Sequence, residues 1–582
     1  MLAVVLTLGA AAQPAMTVRV DNAGTLSKQL TDSIKYTIAE LTVSGPLNGN
    51  DLKLIQDIAT RNKTDKKQEN QCLLTAIDLS GATIVESKEG TKSKAGELPA
   101  GMFSGAKNLL KAQLPDGIIS VSKNCFSGCI ALTEVTIPQS VSEIEASAFN
   151  NCNALTSIAL PEGVKKIGAH AFDDCMSLTT VTLPAAVTFI DNAAFQGCAA
   201  LTTVVIEGQI SQLPVSAFQD CSSLTSVTLP ETLSIIGVDA FKGCKALTEL
   251  AIPLVKEIGA TAFMDCPQLQ KIDMENVTKI GNAAFQDCKS LLEVSLTKLT
   301  KMSANTFERC TSLQRVVIGS TIDDLPADAF KDCTSLAEIE LPVTLKTIGG
   351  EAFRNCKSLT AVDLPKALTK IGDHAFEDCN SLQNIVVPNL VKSMGNSTFE
   401  NCTSLQSAAI EGFVSSIDAD VFRGCHNLQQ VTIPISVKKI GTNAFRECAS
   451  LSDISLPISV TQIGDNSFEK CTALKRIDIP AAVSDIGSDA FAECTALTEV
   501  VLPVGLKKLG GGAFAKCFTM TALQVNAPLP PKTSKSAFKG ITGLCKLYVP
   551  RGASAGYKGD KVWGDVFKQI VEGQMPAAII AP

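Results

Sequence analysis

Histidine, tyrosine and tryptophan are scarce in this chain, and their scarcity excludes several kinds of site. The 582 residues include 3 His, 3 Tyr and 1 Trp, and no C-x-x-C pair occurs among the 21 Cys. Zinc sites are built mainly from closely spaced Cys and His ligands, so we expect no metal centre and no cofactor. The low aromatic content also argues against a groove in which sugar rings stack on aromatic side chains.

Basic charge and long apolar runs are lacking as well. The formal net charge is −7 and the pI is about 5.3, whereas phosphate backbones require a basic stripe, so we expect neither nucleic acid nor an anionic membrane as the main partner. The apolar run at residues 1–12 is too short to cross a bilayer and ends in an A-x-A pattern, which is typical of a secretory signal peptide. It has no basic start, so a leader that begins upstream of Met1 is an alternative. No other run reaches transmembrane length.

Phenylalanine, by contrast, recurs at a fixed interval. Of the 24 Phe, 20 are spaced 23 residues apart, except for three consecutive steps of 22 and a final step of 24. A period of this size predicts a solenoid, in which each unit buries its apolar side only by stacking on its neighbours. The periodic residues are Phe103, Phe126, Phe149, Phe172, Phe195, Phe218, Phe241, Phe263, Phe285, Phe307, Phe330, Phe353, Phe376, Phe399, Phe422, Phe445, Phe468, Phe491, Phe514 and Phe538.

Residues 221–243 show the repeating unit clearly. An L-x-x-L-x-L strand points Val227 inward, while the third and fifth places of the strand face outward. Pro230 ends the strand, Gly237 is expected to permit a tight corner, and Phe241 fills the coil. The place before each Cys is often Gly, Asp or Asn, which predicts left-handed backbone there. No stretch has the rhythm of a long helix, so the convex side is predicted to be irregular and extended or to form short 3₁₀ turns.

These units resemble the BspA-like leucine-rich repeats, whose pattern is roughly C-x-x-L-x-x-V-x-L-P-x-x-V-x-x-I-G-x-x-A-F-x-x. The Pro, Ile-Gly, Ala-Phe and Cys places recur in register over about residues 103–550, as in LTSIALPEGVKKIGAHAFDDC and LTAVDLPKALTKIGDHAFEDC. The flanking segments AGTLSKQLTDSIKYTIAELTVSGPLNGNDLKLIQDIATRN and LYVPRGASAGYKGDKVWGDVFKQIVEG are also similar to those of such proteins from Bacteroidetes-type bacteria. The resemblance implies a leucine-rich repeat solenoid with a parallel β-sheet on its concave face.

The predicted domains follow this pattern: a signal peptide at 1–12, an N-terminal cap with irregular repeats at 13–102, the repeat array at 103–526 and a C-terminal repeat with a capping segment at 527–582. In the first cap, Leu54, Ile55 and Ile58 lie on one face of a predicted helix behind an Asn/Asp cap. In the C-terminal capping segment, Trp563 is predicted to cover the open end of the final coil together with nearby aromatic residues. An alternative interpretation makes Trp563 a platform for a ligand.

Cysteine follows the repeat too, because 18 of the 21 Cys lie three residues after a periodic Phe, from Cys129 to Cys517. Stacked turns place neighbouring members ~4.8 Å apart with parallel side chains, which is poor geometry for a disulfide. We therefore predict a buried row of reduced thiols that behave as small hydrophobic residues. Disulfides between some turns, or a metal, are the alternatives.

Catalytic residues are not expected. His170 and His374 occupy the same place in repeats nine steps apart, about 43 Å at ~4.8 Å per step, and His426 lies on the other side of the Phe place. A nucleophile and its base must be within hydrogen-bond reach of each other, and no Ser or Cys is brought beside a His. The three consecutive glycines Gly510–Gly512 begin at the place where other repeats have the Gly of the Ile-Gly pair, which forms the corner of the coil. They therefore do not indicate a phosphate-binding loop. We therefore predict that the protein is not an enzyme.

The outward places of the strands form the one remaining candidate surface. In most repeats they are small and polar, but between residues 271 and 363 they become charged. The same stretch overlaps the three 22-residue steps, and three of its strands lack the Pro, with Glu275, Thr297 and Gly319 in its place. The functional hypothesis is that these charged residues form a partner-binding patch. The alternative is that they are a solvent-exposed charged face on repeats whose sequences have diverged. The candidate residues are Lys271, Asp273, Glu293, Arg315, Glu338, Glu340 and Asp363.

The sequence favours an exported, monomeric protein that is secreted or displayed on the cell surface. The resemblance implies adhesion, with an extracellular matrix protein or a protein on another bacterial surface as the partner. The alternative is a structural spacer of the cell surface that has no ligand on its concave face.

Overall fold

The computed structural model describes residues 15–60, 73–319 and 321–575. The predicted signal peptide lies outside these residues. The chain divides into two compact units, Met1–Cys288 and Lys289–Pro582. Each is built from parallel strands on turns about 23 residues apart, as the predicted solenoid requires. Within the described ranges, no helix has both the length and the apolar character needed to cross a membrane.

In the first unit, the L-x-x-L-x-L segments form concave strands that pair in register with the next turn. A second set of shorter strands follows on the returning segment of each turn. The unit also has an α-helix at Gly49–Thr60 and a 3₁₀ helix at Leu26–Lys28. The concave strands are Met16–Arg19, Glu40–Leu47, Ala76–Asp78, Lys111–Gln113, Glu134–Thr136, Thr180–Leu183, Thr203–Ile206, Ser226–Thr228, Glu249–Leu250 and Lys271–Ile272. The returning strands are Ala82–Ile84, Ser120–Val121, Glu143–Ile144, Lys166–Ile167, Phe189–Ile190, Gln212–Leu213, Ile235–Ile236, Glu257–Ile258 and Lys279–Ile280.

The second unit repeats this arrangement and ends in short helices: a 3₁₀ helix at Lys535–Phe538 and α-helices at Ser554–Gly559 and Trp563–Val566. Its concave strands are Glu293–Leu296, Arg315–Ile318, Glu338–Glu340, Asn384–Val387, Ser407–Ile410, Gln430–Thr432, Arg476–Asp478, Glu499–Leu502, Ala522–Val525, Lys546–Val549 and Gln569–Glu572. Its returning strands are Lys301–Met302, Asp324–Leu325, Thr347–Ile348, Lys370–Ile371, Ser393–Met394, Ser416–Ile417, Lys439–Ile440, Gln462–Ile463, Asp485–Ile486 and Lys508–Leu509.

The convex side is built from irregular turns, which is one of the two forms predicted for it, and both described 3₁₀ helices lie outside residues 103–526. Alternate backbone N–H groups there donate to the next turn: Glu351 to the carbonyl of Asp373, Phe353 to that of Ala375 and Asn355 to that of Glu377, over 2.7–2.9 Å. Because these bonds join successive turns, they satisfy the buried backbone without any helix.

This ladder depends on two left-handed residues in each turn. The place before Cys is left-handed as predicted, with φ of 59° at Asp220 and 74° at Gly243. A second left-handed residue lies four positions earlier, such as Ser216 (φ 56°) or Thr261 (φ 53°). Ser and Thr do not favour such backbone, but many repeats carry Asn, Asp or His at this place, as at Asp239, so the sequence held a signal for this row that the prediction did not use.

Phe and Cys form the core. Neighbouring periodic rings stack with centroids 5.1–5.7 Å apart from Phe103 to Phe285 in the first unit. The same spacing holds from Phe307 to Phe514 in the second unit. The Cys row is buried as predicted. Its thiols donate to the carbonyl of the Phe one turn earlier, as Cys333 does to Phe307 over 3.1 Å.

The glycine of the Ile-Gly corner serves a different purpose from the one expected. Gly237 is not among the residues with positive φ. A Cβ atom added to it would lie 2.7 Å from the backbone of Leu213 and Pro214 in the preceding turn. At Gly237 glycine is therefore favoured by the close approach of the preceding turn and not by a special backbone conformation, whereas repeats such as those with Asp191 and Pro214 accommodate a side chain at this place.

The close approach of successive turns at the glycine of the Ile-Gly corner leads to a testable prediction. Gly372→Ala would place a Cβ 2.5 Å from the backbone of Gly350, and we expect it to destabilise the surrounding turns by about 1–3 kcal/mol, because backbone cannot yield as a flexible side chain can. Hydrogen exchange of the turns around residue 372 measures the change. Gly543→Ala is the control, since no atom lies within 4 Å of its added Cβ. Equal exchange in both variants would contradict the packing argument.

Both ends of the array are covered by the flanking segments. The helix Gly49–Thr60 buries Leu52, Ile55 and Ile58, whereas the predicted Leu54 is only half-buried. At the other end, Trp563 is fully buried and its indole N–H donates to the carbonyl of Pro531 over 3.0 Å. A buried ring cannot serve as a ligand platform, so that alternative is wrong.

Candidate interaction surface on the concave strands

The first unit contributes Lys271 and Asp273, both exposed on its last described concave turns. The strand Lys271–Ile272 pairs with Glu249–Leu250, so that Glu249 lies opposite Lys271. Together with the exposed edge of Ser226–Thr228, these side chains line an open depression of about 460 Å³. Charges of both signs therefore border a concave hollow in which a partner's side chain could lie.

The second unit brings four candidate residues together on three adjacent strands. Glu293 lies opposite Arg315, which in turn lies opposite Glu338. The guanidinium of Arg315 reaches diagonally to Glu340, with Nη2 2.8 Å from Oε1, and its Nε lies 3.6 Å from Oε2 of Glu338. The three side chains are 51–75% exposed, and such ion pairs contribute little to stability. The group is acidic overall and accessible to a partner.

Asp363 does not join this sheet. It is exposed, but residues 360–364 form no strand, so the concave ladder stops after Glu338–Glu340 and resumes at Asn384–Val387. The strand predicted there from the L-x-x-L-x-L pattern is therefore wrong. The candidate residues thus form two groups, one in each unit, with Asp363 beside the second group in an irregular turn.

A second interruption creates a hollow that the sequence did not indicate. Residues 452–456 also form no strand, and the depression there has a volume of about 700 Å³. Gln430, Ser452, Asp453 and Ser455 line it. These residues are as small and polar as those of regular repeats, so no pattern in the sequence distinguishes the site.

One His-containing cluster was not foreseen. His374 Nδ1 lies 2.8 Å from Glu377 Oε2, and the ligand atoms of these two residues and Glu400 all lie within 4.8 Å of one another. Arg354 binds Glu377 over 3.0 Å, and Arg423 binds Glu400 over 3.2 Å. Burial raises the pKa of Glu377. Because two guanidinium groups already neutralise these carboxylates, the cluster is poorly suited to a cation, and the absence of a metal centre remains a prediction.

Comparison with known proteins identifies the class of repeat. Segments 96–225, 211–337, 323–448 and 415–545 match the sequence profile described as the BspA type leucine rich repeat region. These matches span most of the chain, and the protein therefore belongs to the BspA-type leucine-rich repeat family. No curated protein matches this chain.

Several solved structures are similar. A leucine-rich repeat protein from Bacteroides ovatus is 21% identical, with a TM-score of 0.30, and the match covers 80% of this chain and 90% of that one. A leucine rich cell surface protein from Faecalibacterium prausnitzii is 25% identical, with a TM-score of 0.34, over 59% of this chain and 87% of that one. The T. pallidum leucine rich repeat protein is 34% identical, with a TM-score of 0.25, over 28% of this chain and 72% of that one.

Proposed function

We propose that this chain is an exported or cell-surface protein without enzymatic activity that binds a protein ligand on its concave strands and so mediates adhesion. The family membership supports an interaction role. The observation that carries the proposal is the cluster of Arg315, Glu338 and Glu340, which is exposed, acidic overall and held on adjacent strands. An extracellular matrix protein or a protein on another bacterial surface fits as the ligand.

The chemistry of the cluster indicates how the ligand is recognised. Glu338 and Glu340 flank a single guanidinium, so one carboxylate charge of this group is left uncompensated. A basic loop of a partner is attracted to such a surface, and exposed charges of this kind mainly set the association rate and the specificity. The ligand is therefore expected to present Lys or Arg toward strands Arg315–Ile318 and Glu338–Glu340.

A binding experiment tests the proposal. The purified chain is applied to immobilised extracellular matrix proteins and to intact bacterial cells, and association is measured at low and high salt. We expect the double variant Glu338→Lys/Glu340→Lys to bind at least tenfold more weakly at low salt, because the flanking carboxylates become repulsive while the core is untouched. The control is Lys165→Glu/Lys166→Glu, two exposed positions on and beside a returning strand of the first unit.

Two outcomes would count against this function. Equal binding by wild type and both variants would remove the concave cluster from the ligand site. A wild-type chain that binds none of these surfaces would favour the structural spacer, which needs no ligand on its concave face.

A further inference from the structure

The turns that connect each concave strand to the following returning strand carry an apolar ridge in the second unit. Leu390, Phe413, Ile435, Ile458 and Val504 lie one or two residues after the Pro place of their repeats, and they are 50–77% exposed. Adjacent turns are ~4.8 Å apart, so the unbroken row from Leu390 to Ile458 extends over about 14 Å, and Val504 lies two turns further on, past the exposed Ala481. Apolar side chains exposed singly are ordinary, but a continuous row of this kind marks an interaction site.

Lysines border this ridge. Lys392, Lys438, Lys439, Lys507 and Lys508 are exposed on or beside the returning strands that follow it. None of the five takes part in an ion pair in the described part of the chain. Two carboxylates, Glu411 and Asp485, lie among them. The surface is therefore apolar and locally basic, although the whole chain has a net charge of −7.

Two of the corresponding turns of the first unit have the opposite charge. Residues 167–241 contain seven carboxylates and no Lys or Arg. Glu207 and Glu231 are exposed at the places that follow a concave strand, and no hydrogen bond or ion pair of their side chains occurs among the described residues. Phe189 is 48% exposed on the returning strand of an adjacent turn, where it lies opposite Lys166, whose Nζ is 6.0 Å from the ring centroid of Phe189. Glu207 and Glu231 therefore form a small acidic surface on two adjacent turns, with Phe189 and Lys166 at its border.

We propose that the apolar, lysine-bordered ridge of the second unit binds the acidic turns of the first unit in a second copy of this chain. Charge complementarity selects this partner: the unpaired lysines meet the unpaired Glu207 and Glu231, while the ridge loses exposed apolar surface against residues such as Phe189. Association joins two different surfaces, so it is heterologous. It differs from the monomeric state expected from the sequence, and it does not depend on the concave ligand.

Sedimentation velocity of the purified full chain tests this. The sedimentation coefficient is expected to rise with protein concentration at about 0.05 M salt and to rise much less at about 0.5 M salt, because the lysine–carboxylate attraction is screened. Ile458→Glu places a charge in the middle of the ridge, and Glu207→Lys/Glu231→Lys reverses the acidic turns. Each variant alone is expected to remain monomeric.

Mixing the two variants is the decisive step. Ile458→Glu retains intact acidic turns and Glu207→Lys/Glu231→Lys retains an intact ridge, so an equimolar mixture is expected to form a 1:1 dimer. Dimer formation in the mixture also shows that both variants are folded. Val343→Glu is the matched control, because Val343 is 75% exposed at the same repeat place but lies outside the ridge, and it should associate like the wild type.

Three results would overturn the proposal. The first is a wild-type chain that stays monomeric over a hundredfold range of concentration. The second is self-association of Glu207→Lys/Glu231→Lys alone, which would mean that the ridge binds another ridge or some other surface. The third is an equimolar mixture that remains monomeric.

Discussion

Between about pH 9 and pH 12 we expect the array to lose its folded structure steeply. Burial raises the pKa of the row cysteines, to about 12 for Cys129, Cys266 and Cys517, whereas thiols of the unfolded chain ionise near ~8.5. In this window the unfolded chain binds fewer protons than the folded one. The free energy of unfolding therefore falls as the pH rises, by about 1.4 kcal/mol per pH unit for each thiol. Below about pH 8 both states hold their protons, and no loss is expected.

The size of this effect follows from the number of thiols in the row. Three adjacent turns that open together lose about 4 kcal/mol per pH unit, which is comparable to the whole stability of a small domain. Circular dichroism during thermal unfolding, recorded from pH 7 to pH 11, measures the change. Substituting alanine for the six row cysteines from Cys356 to Cys471 should reduce the slope of Tm against pH. An unchanged slope would mean that the thiols are not responsible.

The second large effect is expected from Phe353→Ala. Phe353 is fully buried, and its ring stacks on Phe330 at 5.7 Å and on Phe376 at 5.1 Å. Truncation removes both contacts and leaves a cavity, which should cost about 3–5 kcal/mol. Because each turn contacts only its neighbours, the damage should remain local. Hydrogen exchange is the appropriate measurement, with faster exchange expected around residues 340–370.

The control for this substitution is Val343→Ala in the same repeat. Val343 is 75% exposed, so its truncation should change stability by less than about 0.5 kcal/mol. Exchange that rises uniformly along the second unit in Phe353→Ala would contradict the local packing of each turn.

The period and the inward face of the repeat could be predicted because large and small buried residues occupy fixed places. Phe353 and Cys356 mark the same turn in register, and alternation in an L-x-x-L-x-L strand assigns the outward places. The returning strands could not be predicted from the sequence. A two-residue strand such as Thr347–Ile348 forms because it pairs with the neighbouring turns, and not because its residues have a high β-propensity. The left-handed Ser216 is likewise held by bonds to the neighbouring turn.

The candidate site was predictable only in part. The outward direction of Arg315 and Glu338 follows from strand alternation, but the diagonal contact between Arg315 and Glu340 depends on side-chain reach across strands. Asp363 shows the limit most clearly: its segment has the same pattern as its neighbours, yet it forms no strand. The division of the chain into cap, array and closing segment stays a prediction.

The most direct test of the proposed interaction role is a hydrogen-exchange footprint of the chain bound to whichever matrix or bacterial surface protein it binds most tightly in the binding experiment. If the concave cluster is the ligand site, backbone amides of Arg315–Ile318 and Glu338–Glu340 should exchange more slowly in the complex, while the convex turns around Phe330 and Phe353 remain unchanged. Protection confined to the convex turns or to the flanking segments would contradict the account.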